Sequence, residues 1–171
     1  MDIQNSYRKI IEIMKNILEE IAARTRERIV KEKTCISVSE LENRIQEVNK
    51  NARQKITFLQ ALQKDGMSYI CEVKKASPSK GVIAEEFPYT EIARAYEAAG
   101  ADCVSVLTEP KWFLGSDDIF REIREAISIP MIRKDFTVDP YQIYEAKLMG
   151  ADAVLLICAL LDTETLKRYI K

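Results

Sequence analysis

Apolar residues recur at spacings of three and four along the first part of the chain: Tyr7, Ile10, Ile11, Met14, Ile17, Leu18 and Ile21, with Glu, Lys and Arg between them. That period predicts an amphipathic helix over residues 4–31. Ser39, with Glu42 three residues later in capping-box spacing, predicts a second helix with apolar positions Leu41, Ile45 and Val48. A short third helix over residues 58–64 starts after Thr57 and stops at the turn signal Asp65-Gly66. The first helix reads either as a partner-binding or coiled-coil arm or as a helix packed on the chain's own body. Its heptad spacing lasts only about two to three turns, which favours the second reading.

From Met67 the period changes, and strands alternate with helices. Residues 69–74 predict a strand, followed by a loop over residues 75–81. A helix over residues 89–99 ends at Gly100, the residue type that closes helices in the left-handed conformation. Residues 103–107 form the second strand, and Ser116 caps a helix running to about Ile127. Residues 129–134 form the third strand. Asp139-Pro140 reads as an N-cap with proline at the first helical position, and that helix ends at Gly150. Residues 153–158 form the fourth strand, and Thr163 caps a last helix.

Gly100-Ala101-Asp102 and Gly150-Ala151-Asp152 each stand between a helix end and an apolar strand. Such repetition predicts parallel strands joined by helical crossovers. A doubly wound sheet would carry a glycine-rich phosphate turn after its first strand, and residues 75–81 hold neither G-x-G-x-x-G nor G-x-x-x-x-G-K. A (β/α)8 TIM barrel fits better, represented by about its first four βα units. Residues 1–66 would be an N-terminal helical extension, and residues 67–171 the first half of the barrel within the same domain.

Composition narrows the chemistry. The 171 residues include no histidine, which removes Ser-His and Cys-His hydrolases and the His-based zinc enzymes. A formal net charge of −1, from 26 Lys+Arg against 27 Asp+Glu, argues against a nucleic-acid partner. Cys35, Cys71, Cys103 and Cys158 form no C-x-x-C pair, and without histidine they make a poor zinc site. Cys71, Cys103 and Cys158 lie in apolar runs and are expected as small buried hydrophobes. No secretory signal opens the chain and no apolar stretch reaches membrane-spanning length, so a cytoplasmic protein without a membrane partner is expected.

Charge then enters where it is least expected. Strands buried on both faces read as continuous apolar runs, yet the first strand carries Glu72 and Lys74 on one face. The third ends on Lys134, on the same face as Ile132. An unpaired charge in such an interior costs several kcal/mol, so these groups must pair, reach water or meet a ligand. All three lie toward strand C-termini, where barrel active sites are built. The plainer alternative is a Glu–Lys ion pair that closes the core. Trp112, Phe113 and Phe136 follow the second and third strands and suit either a flat ring or a lid over the core. Ser77, Ser79 and Lys80 form a polar, cationic loop suited to a phosphate or carboxylate, or simply to solvent. The residues alone therefore support a lysine-based site for an anionic aromatic ligand.

The segment Glu72-Val-Lys-Lys-Ala-Ser-Pro-Ser-Lys-Gly81 closely resembles the first-strand signature of the indole-3-glycerol phosphate synthase family. The likeness continues through Ala93-Arg-Ala-Tyr-Glu-Ala-Ala-Gly-Ala-Asp102, Ser105-Val-Leu-Thr-Glu109, Phe113, Gly115-Ser116 and Arg133-Lys-Asp-Phe136. Asp139-Pro-Tyr-Gln-Ile-Tyr-Glu-Ala146 and Gly150-Ala-Asp-Ala-Val-Leu-Leu-Ile157 complete it, so that it covers residues 10–171.

The resemblance implies ring closure without metal or cofactor. The family's substrate is 1-(2-carboxyphenylamino)-1-deoxyribulose 5-phosphate, a small anionic aromatic sugar phosphate; the products are indole-3-glycerol phosphate, carbon dioxide and water. By match, Lys134 is the general acid at the condensing carbonyl. Lys74 holds substrate anions and assists later proton transfer, and Glu72 orients that lysine. Phe113, Phe136 and Leu155 fall where the family packs the aromatic ring, and Ser77 where its first loop binds substrate. Lysine acid–base chemistry is expected to draw on mutual proximity of Lys74 and Lys134 and on burial.

The family's second catalytic glutamate, its asparagine and its phosphate-binding loops match nothing here, which implies weak or no activity for these residues alone. Eight units of the observed spacing plus the extension would need roughly 290 residues. Four strands would also leave barrel edges open to self-association. The other classes compatible with the sequence are a non-catalytic half-barrel interaction module and another phosphosugar-binding barrel isomerase.

Overall fold

The computed structural model describes the backbone of residues 3–50 and 56–171, and side chains for residues 16–48 and 56–171. Three helices come first: α1 (Ile3–Cys35), α2 (Val38–Lys50) and α3 (Phe58–Leu62). Then follow β1 (Ile70–Val73), a small antiparallel hairpin of β2 (Ala76–Ser77) and β3 (Gly81–Val82), α4 (Tyr89–Ala98), β4 (Cys103–Leu107) and α5 (Asp117–Ala126). The chain continues with β5 (Met131–Lys134), α6 (Tyr141–Leu148), β6 (Ala153–Val154) and α7 (Thr163–Ile170).

The sheet runs β1-β4-β5-β6, and every pairing in it is parallel. This is the alternating architecture that the strand and helix periods predict, and it corresponds to four βα units of a barrel. Strand register places Val73, Val106, Arg133 and Val154 in one row, and Glu72, Ser105, Ile132 and Ala153 in the row before it. Because side chains alternate across a strand, consecutive rows face opposite sides. The side holding Val73, Val104, Val106 and Met131 packs against Ala93 of α4, Phe120 and Ile123 of α5, and Met149 beyond α6, all at most 4% exposed. The other side carries Glu72, Ser105 and Lys134.

The repeated Gly-Ala-Asp segments have a common structural explanation. Gly100 (φ +89°) and Gly150 (φ +80°) take the left-handed conformation. The amides of Ala101 and Ala151 then reach back to the carbonyls of Tyr96 and Ala146. The aspartate that follows reaches the neighbouring strand's entrance: Asp102 accepts the Tyr69 N–H at 2.8 Å, and Asp152 that of Met131 at 2.9 Å. Each segment thus ends a helix and fixes the start of an adjacent strand.

α1 packs on the chain's own body, as the plainer reading expects. Ile21, Ala22, Thr25 and Ile29 are at most 3% exposed. Ile29 shares a second apolar cluster with Leu41 of α2 and Tyr141 of α6. The side chains of Tyr7, Ile10, Ile11 and Met14 lie outside the described residues.

Several local expectations are corrected. Ser37, not Ser39, opens α2, because its hydroxyl accepts the Glu40 N–H; Glu40 stands three residues after Ser37 just as Glu42 does after Ser39. Asp162, not Thr163, caps α7 by accepting the Thr165 N–H at 2.8 Å. α6 starts at Tyr141, one residue beyond proline, although Asp139 still accepts the Tyr141 N–H at 2.9 Å. The segment 75–81 is not simply a loop, since it holds β2 and the first residue of β3. Strand pairing in β6 stops at Val154 although the apolar run continues, and Cys158 beyond it is exposed rather than buried. Cys103 is buried as expected, and that burial pushes its thiol up to about 11.

Candidate functional site

β1 and β5, separated by β4, deliver three charges to one place on the sheet's open side. The Glu72 carboxylate accepts from Lys74 Nζ at 2.6 Å through Oε1 and from Lys134 Nζ through Oε2. The cluster is half-buried: the side chains of Glu72, Lys74 and Lys134 are 27%, 31% and 35% exposed. Burial works to raise the Glu72 carboxyl, but the hydrogen bonds and charges of Lys134 and Lys74 outweigh it and hold the group below its ordinary range. The expectation of two lysines acting directly on each other is refined here, because a carboxylate stands between them. One carboxylate against two ammonium groups leaves a net positive site with access to solvent. Such a site suits an anion and offers amine protons.

The loop after β4 supplies the aromatic side. Glu109 is 3% exposed, and its carboxylate accepts the N–H groups of Lys111, Trp112 and Phe113 at 2.7–3.0 Å. Gly115 closes the loop where a Cβ would stand 2.1 Å from the Leu107 carbonyl oxygen, a space only glycine fits. The result brings Phe113 to Phe136, with ring centroids 6.2 Å apart. Lys111 Nζ lies 4.2 Å from the Trp112 ring centroid and 3.7 Å from Glu20 on α1.

The remaining sequence-predicted residues sit nearby to different degrees. Leu155 donates its N–H to the Arg133 carbonyl at 3.2 Å, which by strand alternation puts its side chain on the face of Lys134. Ser77 lies in the β2–β3 hairpin, where its hydroxyl accepts the Lys80 N–H at 3.2 Å and meets the Ser79 hydroxyl at 3.5 Å. Its hydrogen bonds stay inside that hairpin. Among the described residues no cluster of three or more His, Cys, Asp or Glu is placed to hold a metal, and no helix is long and apolar enough to cross a membrane.

A second cluster, not anticipated from the sequence, lies on the opposite face of β5. Arg133, 2% exposed, pairs with Asp117 of α5, Asp135 and Glu145 of α6, and Asp135 also accepts from Arg28 of α1 at 2.6 Å. Alternation within Met131-Ile-Arg-Lys134 was the available signal, since it sends Arg133 toward the helices whenever Lys134 faces the open side.

Comparison with known proteins bears directly on this geometry. The family model described as indole-3-glycerol phosphate synthase matches residues 18–171. The chain belongs to the indole-3-glycerol phosphate synthase family. The indole-3-glycerol phosphate synthase of Ruminiclostridium cellulolyticum is 55% identical over 91% of this chain and 59% of its own length. That of Endomicrobium trichonymphae is 49% identical over 91% of this chain and 59% of its own, and that of Lacticaseibacillus paracasei 46% identical over 90% and 58%. The chain therefore spans a little under three-fifths of these relatives' length. The fold class of the family, a (β/α)8 barrel, agrees with the four βα units described here. Among solved structures, the carboxyl transferase domain of Rhizobium etli pyruvate carboxylase aligns with a TM-score of 0.33 at 24% identity, over 45% of this chain and 14% of that one, too low to bear on the fold.

Proposed function

We propose that these residues form part of an indole-3-glycerol phosphate synthase active site, acting on 1-(2-carboxyphenylamino)-1-deoxyribulose 5-phosphate in tryptophan biosynthesis in the cytoplasm. The observation that carries this reading is the Glu72 carboxylate held between Lys74 and Lys134 at strand C-terminal ends. In the reaction a carbon–carbon bond forms between the carboxyl-bearing ring carbon and the sugar carbonyl carbon. Carbon dioxide then leaves and restores aromaticity, and water is lost to complete the indole.

Each step assigns a task to a residue. Lys134 donates a proton to the carbonyl oxygen as the new bond forms, which removes the cost of an unprotonated alkoxide. Lys74 binds the substrate's anionic groups and serves the later dehydration. Glu72 keeps both ammonium groups in place and stabilises the iminium-like cation that exists before carbon dioxide leaves. Phe113, Phe136 and Leu155 pack the anthranilate ring, and Ser77 with its hairpin contacts the substrate from the first loop. None of these tasks calls on a metal or cofactor.

The test supplies that substrate to a complete barrel carrying these residues and follows indole fluorescence together with released carbon dioxide. Equal amounts of both products support the reading. Substrate that persists with a folded protein, or another phosphosugar converted in its place, overturns it.

A further inference from the structure

The cluster behind Lys134 ties α1 to the sheet. Arg133 donates from Nε to Thr108 Oγ1 at 3.2 Å, from Nη1 to the Gln142 carbonyl at 3.0 Å, and from Nη2 to Asp117 at 2.9 Å. Glu145 Oε2 lies 3.5 Å from Nη1. Asp135, 1% exposed at its side chain, accepts from Arg28 on α1, from Gln142 at 3.4 Å and from the Phe136 N–H at 2.8 Å. Glu32, one turn beyond Arg28 with Oε1 at 3.9 Å from it, buries its other oxygen without a hydrogen-bond partner. Four carboxylates, Glu32, Asp117, Asp135 and Glu145, thus face two guanidinium groups, Arg28 and Arg133.

Two surplus negative charges in a cluster whose centre, Arg133 and Asp135, is buried are costly, and a bound proton removes one of them. Asp135 is not the acceptor of that proton: against its own burial, Arg133 and Arg28 hold its carboxyl below the ordinary range. We propose that this network is a proton-dependent clasp, in which a proton bound at Glu145 tightens α1 against the end of β5 that carries Lys134 and its loss loosens that helix. Arg28, through Asp135, and Glu145, through Arg133, are then positioning residues for the adjacent Lys134, and this holds whatever reaction the site performs.

The charges around Glu145 set the direction. Burial pushes its carboxyl up to about 7, Arg133 opposes, and Glu32 and Asp117 push the same way as burial. Glu32 is itself raised by burial, with Arg28 opposing. α2, on another side of α6, brings Glu42 to the groove lined by Tyr144 and Lys147, and the field of Arg44 reaches Tyr141. Beside β6, Asp152 is held by Arg124, and Arg168 of α7 lines a groove together with Tyr144 of α6. A carboxyl raised in the docked state keeps a proton that the undocked state releases. Glu32 on α1 is one cause of that rise, so docking is stronger at low pH, weakens as pH rises toward about 7, and is level beyond it.

The test measures amide-exchange protection over residues 25–35 at about pH 5.5 and about pH 8, with the Glu145 carboxyl carbon titrated by NMR in the same chain. Protection should fall at least about threefold toward the higher pH, and Glu145→Gln, neutral at both, should stay protected at both. Equal protection at the two pH values, or an unchanged pH slope in Glu145→Gln, overturns the clasp. Should that variant not fold, the parent decides: α1 protection that falls with the same midpoint as the Glu145 titration supports the clasp, and protection that does not follow that midpoint to within about half a unit overturns it.

Discussion

Two charge clusters stand back to back on β5, one residue apart. Lys134 faces the open side of the sheet, where it pairs with Glu72 and its side chain keeps 35% exposure. Arg133 faces the helices at 2% exposure and is saturated by Thr108, Gln142, Asp117, Asp135 and Glu145. The difference follows from strand alternation together with the hydrogen-bonding capacity of each cation. A guanidinium can satisfy five donors in a fixed fork and tolerates burial; an ammonium remains mobile and hydrated. The buried cluster fixes where the backbone of β5 and α1 sit. The half-open cluster leaves its ammonium groups within reach of solvent.

The largest expected effect tests the buried side. Arg133→Met leaves Asp117, Asp135 and Glu145 without their shared cation, and should cost about 3–5 kcal/mol in urea denaturation. Lys134→Met should cost less than about 1 kcal/mol in the same measurement, because a half-exposed pair contributes little. The contrast fails if the two losses are equal. Gly115→Ala comes next, at about 1–3 kcal/mol, because the Leu107 carbonyl must move to admit the methyl group. Glu109→Gln, which removes the charge that gathers three loop N–H groups, should cost about 1.5–3 kcal/mol and loosen Phe113 from Phe136. A thermal melt that leaves either loop variant unchanged would remove the claim that this loop is built on its glutamate and glycine.

Acid sharpens the same contrast at smaller scale. The carboxyls of Asp135 and Glu72 are both held below their ordinary values of 3.8 and 4.5. Each therefore contributes stability above its ordinary value that is lost as pH falls through the lowered one. The buried Asp135 should dominate, and the half-buried Glu72 should contribute less because solvent screens its partners. Urea midpoints between about pH 6 and pH 2 should flatten more in Asp135→Asn than in Glu72→Gln.

Much of this fold was legible in the sequence because its periods are local. Residues 103–107 read as an uninterrupted apolar run, and the Gly-Ala-Asp echo marked two helix ends and two strand starts. Caps were harder where neighbouring residues have the same capability: Ser37 and Ser39, or Asp162 and Thr163, all accept backbone N–H groups, and only packing decides between them. The end of β6 was not legible either, because residues 155–158 remain apolar after pairing stops. Glu72, Lys74 and Lys134 stood out because charge at strand ends is costly. The cluster of Arg133 did not, because its meaning depends on Arg28, 107 positions before Asp135. A side chain's partners at that distance are set by helix packing, which no local period encodes.

The central claim is that β5 divides its labour, with Lys134 as the proton donor of the ring closure and Arg133 as its support. The most direct measurement is kcat for indole-3-glycerol phosphate formation by Lys134→Ala in a complete barrel carrying these residues, at matched folded fraction. A fall of at least about a hundredfold is the expected result, the scale of one positioned acid. Turnover within about tenfold of the parent contradicts the role given to Lys134.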